Sequence, residues 1–339
     1  MTNELLPLVI FVLKIYTFSM KVKLKQLDKQ VRFPGAVLRT LLPHYTKGIF
    51  QFANGFLRVF MRGRKPKDLC AKHFTTTRPD GTKLKLLVCS PKNPTNAVGV
   101  LWLHGGGFAM GTPEQDFSHY KLFVKKFGCV TVAPYYRLST KATYPAQTED
   151  CYLALLWLKN HAKELGVNDS QLFVAGNSAG GGLTVATCLM ARDRKDVSVA
   201  FQLPLYPMLD DRDTSTNKDN DAPNWNTKSN RLAWKMYLGD LYQTENVPVY
   251  ASPARCQDFS GMPPCCTFIG DVDPFLQETI EYVEKLKKAG VDTTFKVYKG
   301  GFHAFELICP QSDIGKDATK FYCDAIENAI ATRFAPQPK

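Results

Sequence analysis

Two short runs of apolar residues, VGVLWL at 98–103 and CVTVAP at 129–134, show no alternation with polar positions. A strand covered by helices on both faces has this signature, because neither side meets water. Shorter apolar runs at 172–175, 197–205, 265–269 and 294–298 have the same character. Between them the period becomes helical. Leu155, Leu158 and Leu165 lie at helical spacing in a predicted helix over 148–165, with Thr148 as cap, Lys163 in the last turn and Gly166 just past the end. Further helices are predicted from the small residues after Ser178 to Arg192, over 276–289 before Gly290, and over 312–333.

Strands and helices alternating in this way predict an α/β fold, a mostly parallel sheet flanked by helices, with chemistry at the carboxyl ends of its strands. Arg78-Pro79-Asp80-Gly81 reads as a hairpin turn, so the first strands should be antiparallel. The stretch 208–250 departs from the pattern, running through DDRDTSTNKDNDAPNWN into a helical RLAWKMYLGDL. With about residues 1–55 it is the expected cap over a single domain spanning 1–339, since no repeat or Gly/Ser linker divides the chain.

At 339 residues and 45% hydrophobic content the chain can bury a large core, which excludes a disordered class. The net charge of +12 raises the question of an anionic partner. Lysine and arginine occur along the whole chain, and the densest cluster, RGRKPK at 62–67, lacks interleaved aromatics and any nucleic-acid motif. It reads as a solvated loop, with no nucleic-acid partner expected. Ten scattered cysteines include one adjacent pair, Cys265-Cys266, and no CxxC, so neither a zinc site nor a disulfide framework is expected. Free thiols suit a reducing compartment, the cytoplasm. The apolar run LLPLVIFVL at 5–13 follows Glu4 and breaks at Lys14, short of the ~20 residues of a spanning helix. It reads as a packed or surface-lying segment, membrane association through it being the lesser reading.

The sharpest chemical signal is FVAGNSAGG at 173–181. A strand ends, Gly176-Asn177-Ser178-Ala179-Gly180 fits G-x-S-x-G, and small residues open a helix: the context of a nucleophile elbow, whose strained turn lifts Ser178 above the sheet. In such an elbow the serine is followed along the chain by an acid and then a histidine. Of six histidines only His303 lies downstream of Ser178. For the acid, IGDVDPF at 269–275 offers Asp271 and Asp273 after a predicted strand, and local sequence leaves both open. Acyl transfer also needs N–H donors for an oxyanion. His104-Gly105-Gly106-Gly107 after the strand at 98–103 supplies backbone without obstructing side chains. Gly105, Gly106 and Ala179 are the expected donors, with His104 shaping the loop.

These pieces together resemble the hormone-sensitive-lipase-like branch of the α/β-hydrolases, the bacterial family IV esterases, over about 98–305. HGGGF at 104–108 is similar to its oxyanion motif, YRL at 136–138 and YPA at 144–146 to the segment before its first long helix, and GNSAGG at 176–181 to its elbow. LYPMLD at 205–210 resembles the strand entering its cap, GDVDPF at 270–275 its acid motif, and GFHAF at 301–305 its histidine motif. The resemblance favours Asp273, directly before proline, as the acid. It implies a serine carboxylesterase acting on small-molecule esters of short to medium acyl chains, without metal or cofactor. A deacetylase or lactonase would use the same residues, and a non-catalytic ligand-binding homologue would lack the histidine that is present here. Asn177 and Ser139-Thr140 depart from the family pattern, and residues 1–75 match no motif. Trp225, Trp234 and Tyr237 are expected as lid packing, and a homodimer stays open.

Overall fold

The computed structural model describes residues 21–66 and 68–338; the apolar run at 5–13 lies outside them. Eight strands form one sheet: β1 (Cys70–Thr77), β2 (Lys83–Ser90), β3 (Ala97–Leu103), β4 (Val130–Pro134), β5 (Val167–Asn177), β6 (Phe201–Leu205), β7 (Cys265–Gly270) and β8 (Thr293–Tyr298). Their spatial order is β1-β2-β4-β3-β5-β6-β7-β8. β2 pairs antiparallel with β1 and β4, as the hairpin turn predicts, and every pair from β4 to β8 is parallel. Both apolar runs lie in the interior of the sheet, with Val100, Leu101, Trp102, Val130 and Val132 wholly buried.

Register then decides where the chemistry gathers. Leu103 pairs with Gly176, Asn177 with Leu205, and Gly270 with Tyr298. The glycine loop, Ser178 and the loops carrying Asp273 and His303 therefore all leave the carboxyl ends of parallel strands.

Among the described residues seven longer helices accompany the sheet: α1 (Arg32–Leu41), α2 (Lys47–Phe60), α3 (Ala146–Asn160), α4 (Ala179–Arg194), α5 (Thr227–Leu238), α6 (Leu276–Lys288) and α7 (Asp313–Thr332). Four expected boundaries move. α3 begins at Ala146 rather than Thr148, whose hydroxyl donates to the Pro145 carbonyl. It ends at Asn160, where His161 stacks on Trp157 and its Nδ1 meets the Trp157 carbonyl at 2.8 Å, so 161–165 form turns instead of helix. β6 starts at Phe201, later than 197, and β5 starts at Val167, earlier than 172. A helical segment at 117–126, passing through a π-turn, has no counterpart in the periodicity reading.

The polar stretch after β6 is pinned by side-chain hydrogen bonds. Asn217, Asn220 and Asn226 are buried and bind mainly backbone groups. Asn220 Nδ2 donates to the Val272 carbonyl (3.2 Å) and Asn224 Nδ2 to that of His303 (2.9 Å), so this stretch grips the acid and histidine loops. Asp211 is held by both Nε (2.7 Å) and a terminal nitrogen (2.9 Å) of Arg255. Buried polar side chains of this kind must be satisfied, and here they satisfy irregular backbone. All ten cysteines are free thiols, and burial pushes that of Cys266 up to about 12. Among the described residues no helix is long and apolar enough to cross a membrane.

Candidate active site

Ser178 stands between β5 and α4 at φ 56° and ψ −122°, a region that residues with a Cβ seldom adopt. The surrounding backbone enforces that conformation. The Ser178 N–H donates to the Leu205 carbonyl (2.9 Å), and its own carbonyl accepts from Gly182 and Met208 (3.0 Å each). The turn packs so closely on β3 that a Cβ at Gly180 would lie 2.0 Å from the Leu103 carbonyl oxygen. Strain of about 1–3 kcal/mol at such a residue persists where the environment over-determines it.

The side chain meets an unbroken hydrogen-bond chain. Ser178 Oγ lies 2.8 Å from His303 Nε2, and His303 Nδ1 lies 2.7 Å from Asp273 Oδ2. All three are buried. The second oxygen of Asp273 accepts from the Phe275 N–H (2.9 Å), which fixes the carboxylate at the entrance to α6. Asp271 does not reach the imidazole; its carboxylate accepts from the Gly300 N–H (2.6 Å) and braces the loop leading to His303. The structure thus brings Ser178, His303 and Asp273 together and leaves Asp271 outside.

The glycine loop is shaped by close approach. At Gly106, φ is +118° and a Cβ would fall 2.1 Å from the Met110 carbonyl oxygen. At Gly105 it would press on the Asn177 side chain at 2.9 Å and on Ser178 Cβ at 3.2 Å. Among the described residues the N–H groups of Gly105, Gly106 and Ala179 have no protein acceptor. His104 stacks on Tyr136 with its Nδ1 2.8 Å from the Gly105 carbonyl, and burial lowers its pKa to about 4. It is a neutral brace for the loop, not a second base.

The cleft above Ser178 measures about 250 Å³ and is walled by Tyr45, Met110, Tyr206, Trp225 and Leu307. Of the three aromatics expected as lid packing, Trp234 and Tyr237 do pack on Phe108, but Trp225 faces the cleft with its ring 6.2 Å from that of His303. A larger cavity, about 400 Å³, opens between α2 and residues 135–141 without Ser178 in its wall. Three further groups at the site escaped the sequence reading. Tyr45 stacks on Phe50 and tilts against Trp225 at 5.3 Å. Tyr206 sets its ring edge-on to His303 and donates to buried Glu306 at 2.6 Å; burial raises the Glu306 pKa to about 7. Asp116, at the cleft floor, accepts from the Trp102 indole at 2.7 Å, and burial raises its pKa to about 7 as well. Tyr206 lies inside the LYPMLD motif, whereas no local pattern singles out Tyr45 or Asp116.

A strained serine after β5, a histidine after β8 and an open glycine loop after β3 follow one known connectivity, and residues 100–307 match the family described as alpha/beta hydrolase fold. The chain belongs to that family, in its hormone-sensitive-lipase-like branch. It is 30% identical over 215 residues to Esterase LipI of Mycobacterium tuberculosis, covering 63% of this chain and 67% of that protein. It is 28% identical over 290 residues to an arylesterase of Saccharolobus solfataricus, covering 82% and 92%. Among solved structures, a bacterial heroin esterase superposes with TM-score 0.82 at 31% identity, over 91% of this chain and 99% of that one. The α/β-hydrolase described here is accordingly a carboxylic ester hydrolase.

Proposed function

We propose that the protein is a serine carboxylesterase that works through an acyl-enzyme. His303 Nε2 takes the Ser178 proton as Oγ attacks the ester carbonyl. Asp273 holds the imidazole in the tautomer that leaves Nε2 free to accept and stabilises the imidazolium that forms. The tetrahedral oxyanion receives hydrogen bonds from Gly105, Gly106 and Ala179, whose N–H groups are fixed before the substrate arrives. His303 then returns the proton to the leaving alcohol, and a water activated by the same nitrogen releases the acid and frees Ser178. The observation that carries this reading is the Asp273–His303–Ser178 hydrogen-bond chain at 2.7 and 2.8 Å, beside a loop with unengaged amides.

The acyl group is short to medium. A cleft of about 250 Å³ beside Ser178, walled by Trp225 and Tyr45, supports a small acyl group. A relative from Pseudomonas putida, 24% identical over 251 residues, is named ethyl acetate hydrolase, and ethyl acetate is an ester of a two-carbon acid. Hydrolysis of p-nitrophenyl esters from acetate to palmitate tests the proposal. Rates should peak among the short chains and vanish in Ser178→Ala and His303→Ala; folded protein inactive on every ester would refute it.

A further inference from the structure

Helices α1 and α2 turn toward solvent what amphipathic helices normally bury. On α1, Phe33 (77% exposed), Val37 and Leu41 (78%) recur every fourth residue. On α2, Phe52 (76%), Phe56, Val59 (73%) and Phe60 recur at the same helical period. Each set forms one stripe, with the core-facing Gly35 and Phe50 on the opposite sides of their helices. Of the ten large hydrophobic residues exposed among the described residues, seven belong to these two helices. Single exposed apolar residues need no explanation, but a concentration of this kind marks an interaction surface.

Charge concentrates in the same place. Although basic residues occur throughout the chain, acids balance them everywhere except here: residues 21–67 hold twelve Lys and Arg and a single acid, Asp28, a net +11 of the chain's +12. Among the described residues only Arg39 of that set forms an ion pair, with Asp221. The described chain begins beside α1, where the Val22 carbonyl accepts from Arg39 at 2.8 Å, and the sequence just before it carries the apolar run at 5–13.

We propose that α1 and α2 form a docking face for an anionic lipid bilayer. Apolar stripes beside an excess of lysine and arginine are what a helix lying in a membrane interface needs, the stripe entering the acyl boundary and the cations meeting lipid headgroups. The rival occupants fit less well. A second copy placed symmetrically on this face would oppose +11 with +11. Residues 1–20, with Glu4 and Lys14 as their only charged side chains, would leave the cations unmatched. Nucleic acid would match the charge but not the exposed phenylalanines. The proposal does not depend on the reaction, and its test reads binding.

Full-length protein is sedimented with phosphatidylcholine vesicles with and without phosphatidylserine, across a salt series. The expected result is binding that requires phosphatidylserine, weakens as salt rises, and falls by about fivefold for each cation neutralised in Lys47→Gln, Arg64→Gln and Lys65→Gln. Phe52→Ser with Val59→Ser, and Phe33→Ser with Leu41→Ser, should abolish it while circular dichroism and turnover of p-nitrophenyl acetate stay unchanged. No binding to anionic vesicles at low salt would overturn the proposal. So would undiminished binding by the serine variants, a dimer that these variants dissociate without any vesicle binding, or equal binding to duplex DNA that they leave intact.

Discussion

His303 Nδ1 faces Asp273 Oδ2 at 2.7 Å, while Asp271, two residues earlier, accepts from the Gly300 amide and does not reach the ring. The two carboxylates therefore have separable roles. Asp273→Asn should lower kcat by roughly 10⁴-fold, because an amide at that position favours the wrong imidazole tautomer. Asp271→Asn should cost only a few fold while lowering the melting temperature, since it weakens one hydrogen bond that braces the loop. Parallel kinetics and thermal melts of the two variants check this; equal losses of kcat would contradict it.

The glycine loop predicts a split between fold and rate. In Gly106→Ala the new Cβ would meet the Met110 carbonyl at 2.1 Å in a backbone already at φ +118°, so the loop must move. Displacing one oxyanion donor should cost on the order of 10²–10³ in kcat. Far-ultraviolet circular dichroism should stay near wild type, because the loop lies outside the sheet, and KM should change far less than kcat.

Trp225 limits the acyl chain in this account. Trp225→Leu should raise the rate on hexanoate relative to acetate, by up to about fourfold for each methylene newly accommodated. Competition between p-nitrophenyl acetate and hexanoate measures the ratio directly. An unchanged ratio would place the acyl group elsewhere in the cleft.

Asp116 makes the fold sensitive to pH. Burial raises its pKa from 3.8 to about 7, so the fold retains a proton that the unfolded chain loses. Its contribution is full below about pH 4 and is lost as pH rises through about 7. His104 acts oppositely: lowered from 6.5 to about 4, it contributes fully above pH 6.5 and loses that contribution as pH falls through about 4. Comparing Asp116→Asn with wild type cancels the histidine. The variant's melting temperature relative to wild type should rise between pH 5 and pH 8; a flat difference would contradict the assignment.

Much of this site was legible because its chemistry is written in local sequence. Gly176 and Gly180 flank Ser178 at elbow spacing, HGGG at 104–107 marks an open backbone loop, and His303 is the only histidine downstream of the serine. Choosing Asp273 over Asp271 needed more than local pattern, since both follow β7 and either could cap or brace a turn. The resemblance favoured Asp273, whose Oδ2 lies 2.7 Å from His303 Nδ1. The cleft wall was not legible, because Tyr45 reaches Trp225 across 180 residues of chain and no spacing rule spans that distance. The packing of 210–226 was not legible for a related reason: Asn217, Asn220 and Asn226 are buried by groups remote along the chain, among them the Val272 carbonyl that Asn220 reaches. α3 ends at Asn160, so the hydrophobic period through Leu165 ran past the helix.

The central claim is that Ser178 is the nucleophile of an acyl-enzyme, and intact-mass spectrometry after treatment with a fluorophosphonate tests it most directly. Wild type should gain one adduct, mapped by peptide sequencing to Ser178, with loss of esterase activity in proportion. Ser178→Ala should gain none, and His303→Ala should react at least ~100-fold more slowly for want of its base. An adduct on another residue, or an Ser178→Ala protein that still turns over ester, would contradict the account.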